Sequence, residues 1–243
     1  MKTLAPADMV RVWDLGQRRP NWQRALIMLE PALPELSADA LSNLSIGQRN
    51  ARLFALRQSV VGPVMNALVK CPKCGEPLEF EQLIAELIED YADPTEREFE
   101  VTEGRYCVRH RLLTSADLAR AGGRGGLEEV RAHLTRSAVV SATFDGVAID
   151  VDDLPSEVVA AVEEQMDAAD PLARVAIPLA CAGCEHVWPA LFDIATYFWA
   201  ELDARAKQAL QDVIALARHY GWGETEILAM SPARRDYYLG AIP

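Results

Sequence analysis

The sequence predicts an α+β fold, with helical N- and C-terminal segments around a ribbon split into two C-x-x-C hairpins and a small α+β subdomain inserted between them. Three observations predict it. Helical periodicity fills residues 1–62 and 191–243. Two strand, C-x-x-C, strand units, at 63–95 and 173–190, have the same form. The stretch 96–172 between them mixes strand-like and helix-like patterns.

Each element has its own signal. Pro6 to Leu15 carries Met9, Val12 and Trp13 on one helical face, with Gly16 as a stop. Trp22, Ala25, Leu26 and Leu29 repeat that spacing after Pro20. Ser45 and Gln48 form a capping box for a helix that runs through Phe54 to about Val60, before Gly62-Pro63. Trp13 and Trp22 read as core. Val64 to Lys70 reads as a strand, Leu78 and Phe80 as its return, and Leu83 to Ile88 as a short helix.

Phe99 and Val101 alternate, Glu103-Gly104 makes a turn, and Tyr106, Val108 and Leu112 alternate again, which is a hairpin pattern. Gly122, Gly123, Gly125 and Gly126 lack phosphate-loop spacing and read as a plain loop. A helix from Leu127 to Leu134, strand from Val139 to Val151 and a helix from Pro155 to Met166 follow. Val175 to Ala180 leads into the second cysteine pair, and His186, Val187 and Trp188 lead out. From Leu191 to Ala217 apolar residues keep helical spacing, with a break expected near Asp203; Gly221 and Gly223 end the run. Glu224 to Met230 is a short helix, and Ser231 caps a last one with Pro232 at its first position.

The net charge of −12 and pI near 4.8 disfavour phosphate backbones as partners, so no nucleic acid is expected. The densest basic cluster, Arg105, Arg109, His110 and Arg111, reads as a solvated face. There is no apolar leader and no run of about 20 apolar residues, so no membrane association is expected and the chain is placed in the cytoplasm.

Five cysteines remain to be explained. Four form Cys71-Pro-Lys-Cys74 and Cys181-Ala-Gly-Cys184, while Cys107 stands apart and is expected to pack in the insertion. Two C-x-x-C knuckles supply the four thiolates of a tetrahedral zinc site. A glycine follows Cys74, where a knuckle turn needs positive φ; in the second unit Gly183 precedes Cys184 instead, which makes it a less regular copy. The 106 residues between Cys74 and Cys181 far exceed an ordinary ribbon gap, but loop closure cost grows only logarithmically with length. One structural Zn2+ on Cys71, Cys74, Cys181 and Cys184 is the expected cofactor; a redox pair and unliganded thiols are the competing readings. His186 is a possible rival ligand. Four thiolates close the metal shell, and no H-E-x-x-H, H-x-E or G-x-S-x-G motif is present, so no catalytic residue is assigned and the chain is expected not to be an enzyme.

Five phrases carry a family resemblance: Val12-Trp13-Asp14-Leu15-Gly16, Cys71-Pro-Lys-Cys74-Gly75-Glu-Pro-Leu-Glu-Phe80, Cys181-Ala-Gly-Cys184-Glu-His186-Val-Trp188, Phe192-Asp-Ile-Ala-Thr-Tyr-Phe-Trp199, and the tail from Tyr220 to Arg235. Together they resemble the baseplate-associated proteins of contractile injection systems, similar to the T-even phage baseplate-assembly family. The resemblance implies an accessory protein that helps build a baseplate, as a chaperone or a minor component, with baseplate or tail-module subunits as partners. It leaves the oligomeric state open. The alternatives are a zinc-ribbon regulator binding nucleic acid and a thiol oxidoreductase. The terminal helices are the expected partner surfaces.

Overall fold

The computed structural model describes residues 1–123 and 125–242. Four helices come first: α1 (Pro6–Gly16), α2 (Asn21–Leu29), α3 (Ala38–Ser42) and α4 (Ile46–Val60). The Asp8 carboxylate accepts from the Ala5 N–H at the start of α1. At α4 the Ser45–Gln48 capping box forms as the sequence predicts, with Gln48 N–H on Ser45 Oγ at 3.1 Å and Ser45 N–H on Gln48 Oε1 at 3.0 Å. Helix α3 was not anticipated. Its cap is Ser37, which accepts from Ala40 N–H, but five residues are too few to show a period.

The first hairpin pairs β1 (Val64–Lys70) with β2 (Pro77–Leu83), and α5 (Ile84–Ile88) follows. The second pairs β7 (Val175–Ala180) with β8 (Val187–Phe192), and α9 (Ile194–Tyr220) follows. Residues between them form an antiparallel meander of β3 (Phe99–Glu103), β4 (Tyr106–His110), β5 (Val139–Phe144) and β6 (Val147–Ala148). Helices α6 (Ser115–Ala121) and α7 (Leu127–Ala138) sit between β4 and β5, and α8 (Ser156–Ala169) follows β6. Strand β4 stops at His110, short of Leu112. Of the glycine-rich connection between α6 and α7, Arg124 lies outside the described residues.

Three apolar clusters form. The main one gathers Met28, Phe54, Met65, Ile84, Ile177, Phe198 and Leu202 from the N-terminal helices, both hairpins and the first half of α9. Burying each such side chain contributes about 1.5–3 kcal/mol. A second joins Val10 to Val213 and Leu216 of α9 and to Ile227 and Leu228 of α10 (Glu224–Leu228), with Tyr238 and Leu239 of α11 (Pro232–Gly240) packed against it. A third lies within the inserted stretch, where Val158 and Val162 of α8 cover Val101, Val108 and Ala142.

Two expectations need correction. Helix α9 runs unbroken through Asp203 over 27 residues. The segment holds no Gly or Pro, and the Asp203 carboxylate caps nothing. It accepts from Trp13 Nε1 at 2.7 Å and Lys207 Nζ at 2.7 Å. The basic cluster is not a uniform solvated face. Strand alternation puts His110 on the buried face with Val108, against Phe99 and Gln165 Oε1, while Arg105, Arg109 and Arg111 pair with Asp145, Glu98 and Asp117.

Candidate metal centre

The two hairpins present equivalent turns. In the first, Cys71 N–H donates to the Glu76 carbonyl and Gly75 N–H to the Cys71 carbonyl, both at 2.9 Å. In the second, Cys181 N–H donates to the His186 carbonyl at 2.9 Å and Glu185 N–H to the Cys181 carbonyl at 2.8 Å. The matching extends beyond the turns. Ile84 and Ile194, each fully buried, open the helices that follow the two returning strands.

The second knuckle is therefore a regular copy, against the expectation from its glycine position. Positive φ is needed after the second cysteine in both units: Gly75 has φ 78° and Glu185 has φ 57°. Gly183 has no positive φ. Glu185 carries the cost of an L residue in the left-handed region, about 1–2 kcal/mol.

The knuckles face each other and bring together the sulfurs of Cys71, Cys74, Cys181 and Cys184, all within 4.8 Å of one another. Across the hairpins, Cys71 Sγ lies 3.7 Å from Cys184 Sγ and Cys74 Sγ lies 3.6 Å from Cys181 Sγ. A disulfide would need about 2.05 Å. A tetrahedron of sulfurs each about 2.3 Å from a central ion has edges of about 3.8 Å. The geometry thus fits a metal ion held by four thiolates. Cys71 and Cys181 are buried and Cys74 is exposed, so the cluster sits at the edge of the protein.

Electrostatics favour the same arrangement. Burial works to raise the Cys71 pKa, but N–H groups of Cys74 and Lys73 aimed at its sulfur bring it down to about 6. For Cys74 the Glu76 N–H works downward, yet the thiols of Cys184, Cys181 and Cys71 push it up to about 12. Sulfurs this close ionise together only around a cation.

His186 is not drawn into the cluster. Its ring stacks on Trp188 at 5.8 Å. Cys107 lies on β4, opposite Thr102 and Thr143, on the sheet face away from Val108. It does not pack in the insertion's core, because strand alternation gives that core Val108 and His110.

No family model, no curated protein and no solved structure matches this chain. The geometry of the cluster is the ground on which its chemistry rests.

Sequence reasoning missed the polar links that hold the frame around this site. Arg57 is 2% exposed and bridges α4 to α9 through Glu201, with contacts at 2.9 and 2.6 Å. Its Nη1 also donates to the Gly62 and Val64 carbonyls where the chain enters β1. The sequence trace of this is an arginine set among Leu53, Phe54, Val60 and Val61 at helical spacing. No helix among the described residues is long and apolar enough to cross a membrane.

Proposed function

We propose that Cys71, Cys74, Cys181 and Cys184 hold one structural zinc ion, and that the chain is a non-enzymatic accessory protein of a contractile, phage-tail-like particle. It acts in the cytoplasm in baseplate assembly, or enters the particle as a minor component. The observation that carries the metal assignment is the four-sulfur cluster, with cross-hairpin edges of 3.6 and 3.7 Å. Four thiolates leave no open coordination position, so the ion staples the two hairpins and activates no water. The role in a particle is supported by the sequence phrases that resemble the baseplate-assembly family. It is also supported by the outer face of the second hairpin. There Ala176, Pro178, Ala180, Val187, Pro189 and Leu191 are all exposed, an apolar patch of the kind protein contacts use.

Metal analysis of the purified chain tests the first part. About one zinc per chain is expected, lost in Cys71→Ser or Cys184→Ser together with much of the stability, because metal binding is coupled to folding. A metal-free chain that reduces insulin would instead support a thiol oxidoreductase. Co-expression with a tail module tests the second part. Baseplate subunits should be recovered with this chain, and normal baseplate assembly in its absence would sink the assignment.

A further inference from the structure

Helix α7 turns its apolar face to a cavity rather than to a core. Leu127, Val130 and Leu134 stand at helical spacing along it, as in an amphipathic helix that covers a core. Yet α7 is buried only at Thr135 and Ala138, in its last turn, and Leu127 is 82% exposed. The same cavity, of about 700 Å³, is lined by Ile46 at the start of α4 and by Leu112 and Leu113 ahead of α6. None of these six residues belongs to the three apolar clusters of the fold. They form a separate apolar wall, completed by Met166 of α8, and such a wall favours an apolar occupant over water.

The charged groups around the cavity set the charge of that occupant. Four carboxylates and two arginines line it. Glu163 accepts from Arg131 at 2.8 and 2.6 Å, and Asp167 from Arg174 at 3.4 Å. Glu128 is exposed and also attracts Arg131. Both arginines are thus matched by carboxylates, and the excess of carboxylates repels an anion. The buried carboxylate, Asp170, is held by Ser45 Oγ and Gly47 N–H at the start of α4, so a cation gains no buried partner either. An ion would enter an apolar recess unpaired, at a net cost. The volume lies within the range of small-molecule sites and has room for about two or three rings.

We propose that this cavity binds a neutral, apolar small molecule of two or three rings against the exposed face of α7.

N-phenylnaphthylamine is the probe, a neutral dye that brightens in apolar surroundings, titrated into the full chain with melting followed in parallel. Saturable binding and a raised Tm are expected. Anilinonaphthalene sulfonate is the same body with one negative charge, and it should bind at least about tenfold more weakly. Leu127→Ser removes part of the wall and should weaken the neutral dye about threefold. Val187→Ser does the same to the apolar face of the second hairpin and should leave the dye's Kd unchanged. The two side chains are 82% and 67% exposed, so neither replacement disturbs the core. Val130→Trp takes up space in the cavity and should weaken the dye about tenfold. The proposal is overturned if the neutral dye does not saturate, if the sulfonate binds as tightly, or if Val187→Ser weakens the dye as much as Leu127→Ser. The comparison of Leu127 with Val187 decides the matter whether or not Val130→Trp folds.

Discussion

Replacing Gly47 by alanine sets local helix propensity against tertiary structure, and the two predict opposite signs. Gly47 is the second residue of α4, where alanine gains at most about 1 kcal/mol over glycine. In the fold, however, the Asp170 carboxylate lies against Gly47. It accepts from Gly47 N–H at 2.8 Å and from Ser45 Oγ at 3.0 Å, and it is 3% exposed. A Cβ on Gly47 would lie 2.6 Å from Asp170 Cγ and 3.1 Å from the Ala173 backbone nitrogen. The carboxylate must move, and both bonds to a buried charge are lost or stretched. At about 1.5–3 kcal/mol each, the loss is about 3–6 kcal/mol. The net change is about 2–5 kcal/mol of destabilisation, or a Tm lower by roughly 5–15 °C for a chain of this size. Urea unfolding and thermal melting of the metal-loaded chain measure it. In an Asp170→Ala background only the 3.1 Å approach to the Ala173 nitrogen remains, and most of the Gly47→Ala penalty should vanish. An unchanged or raised Tm for Gly47→Ala alone would refute the reasoning.

Other perturbations have equally definite signs. Glu185→Gly relieves the left-handed backbone and should stabilise by about 0.5–1 kcal/mol in urea unfolding, while Gly75→Ala, with its φ of 78°, should cost about 1–2 kcal/mol. Burial alone would raise the Asp117 pKa, but bonds from Arg111, Thr114 and Arg120 hold it well below the usual carboxylate range. A depressed folded pKa contributes stability above the unfolded value, near 3.9, that is lost as pH falls through it. Stability should therefore drop from about pH 5 downward, and Asp117→Asn should remove part of that drop while costing about 2–4 kcal/mol at pH 7, read by melting across pH. Gly16→Ala should lower stability by about 1–3 kcal/mol and shift tryptophan fluorescence. Its Cβ would overlap the Trp199 ring, over which the Arg24 guanidinium sits at 4.6 Å.

Much of the fold was legible because its signals are local. The Ser45–Gln48 box, Pro232 at a helix start and the alternation of Val175, Ile177 and Leu179 each act within a few residues. The cysteine spacing was legible for the same reason, since each knuckle closes on itself through bonds spanning four or five positions. The errors fall where a distant group decides. Asp203 has the chemistry of a cap but is used by Trp13, and His110 sits among arginines yet is covered by Phe99 and Gln165.

By itself, then, the sequence determined most of the helices and strands, the two knuckles and the donor set of four thiols, because backbone propensity, alternation and turn chemistry are written in neighbouring residues. Only the tertiary structure decided that the four sulfurs meet with edges of 3.6 and 3.7 Å, that Glu185 takes the backbone place of a glycine, and that Asp170 rests on Gly47. These contacts join residues far apart in the chain, and what each side chain does there is fixed by what packs against it.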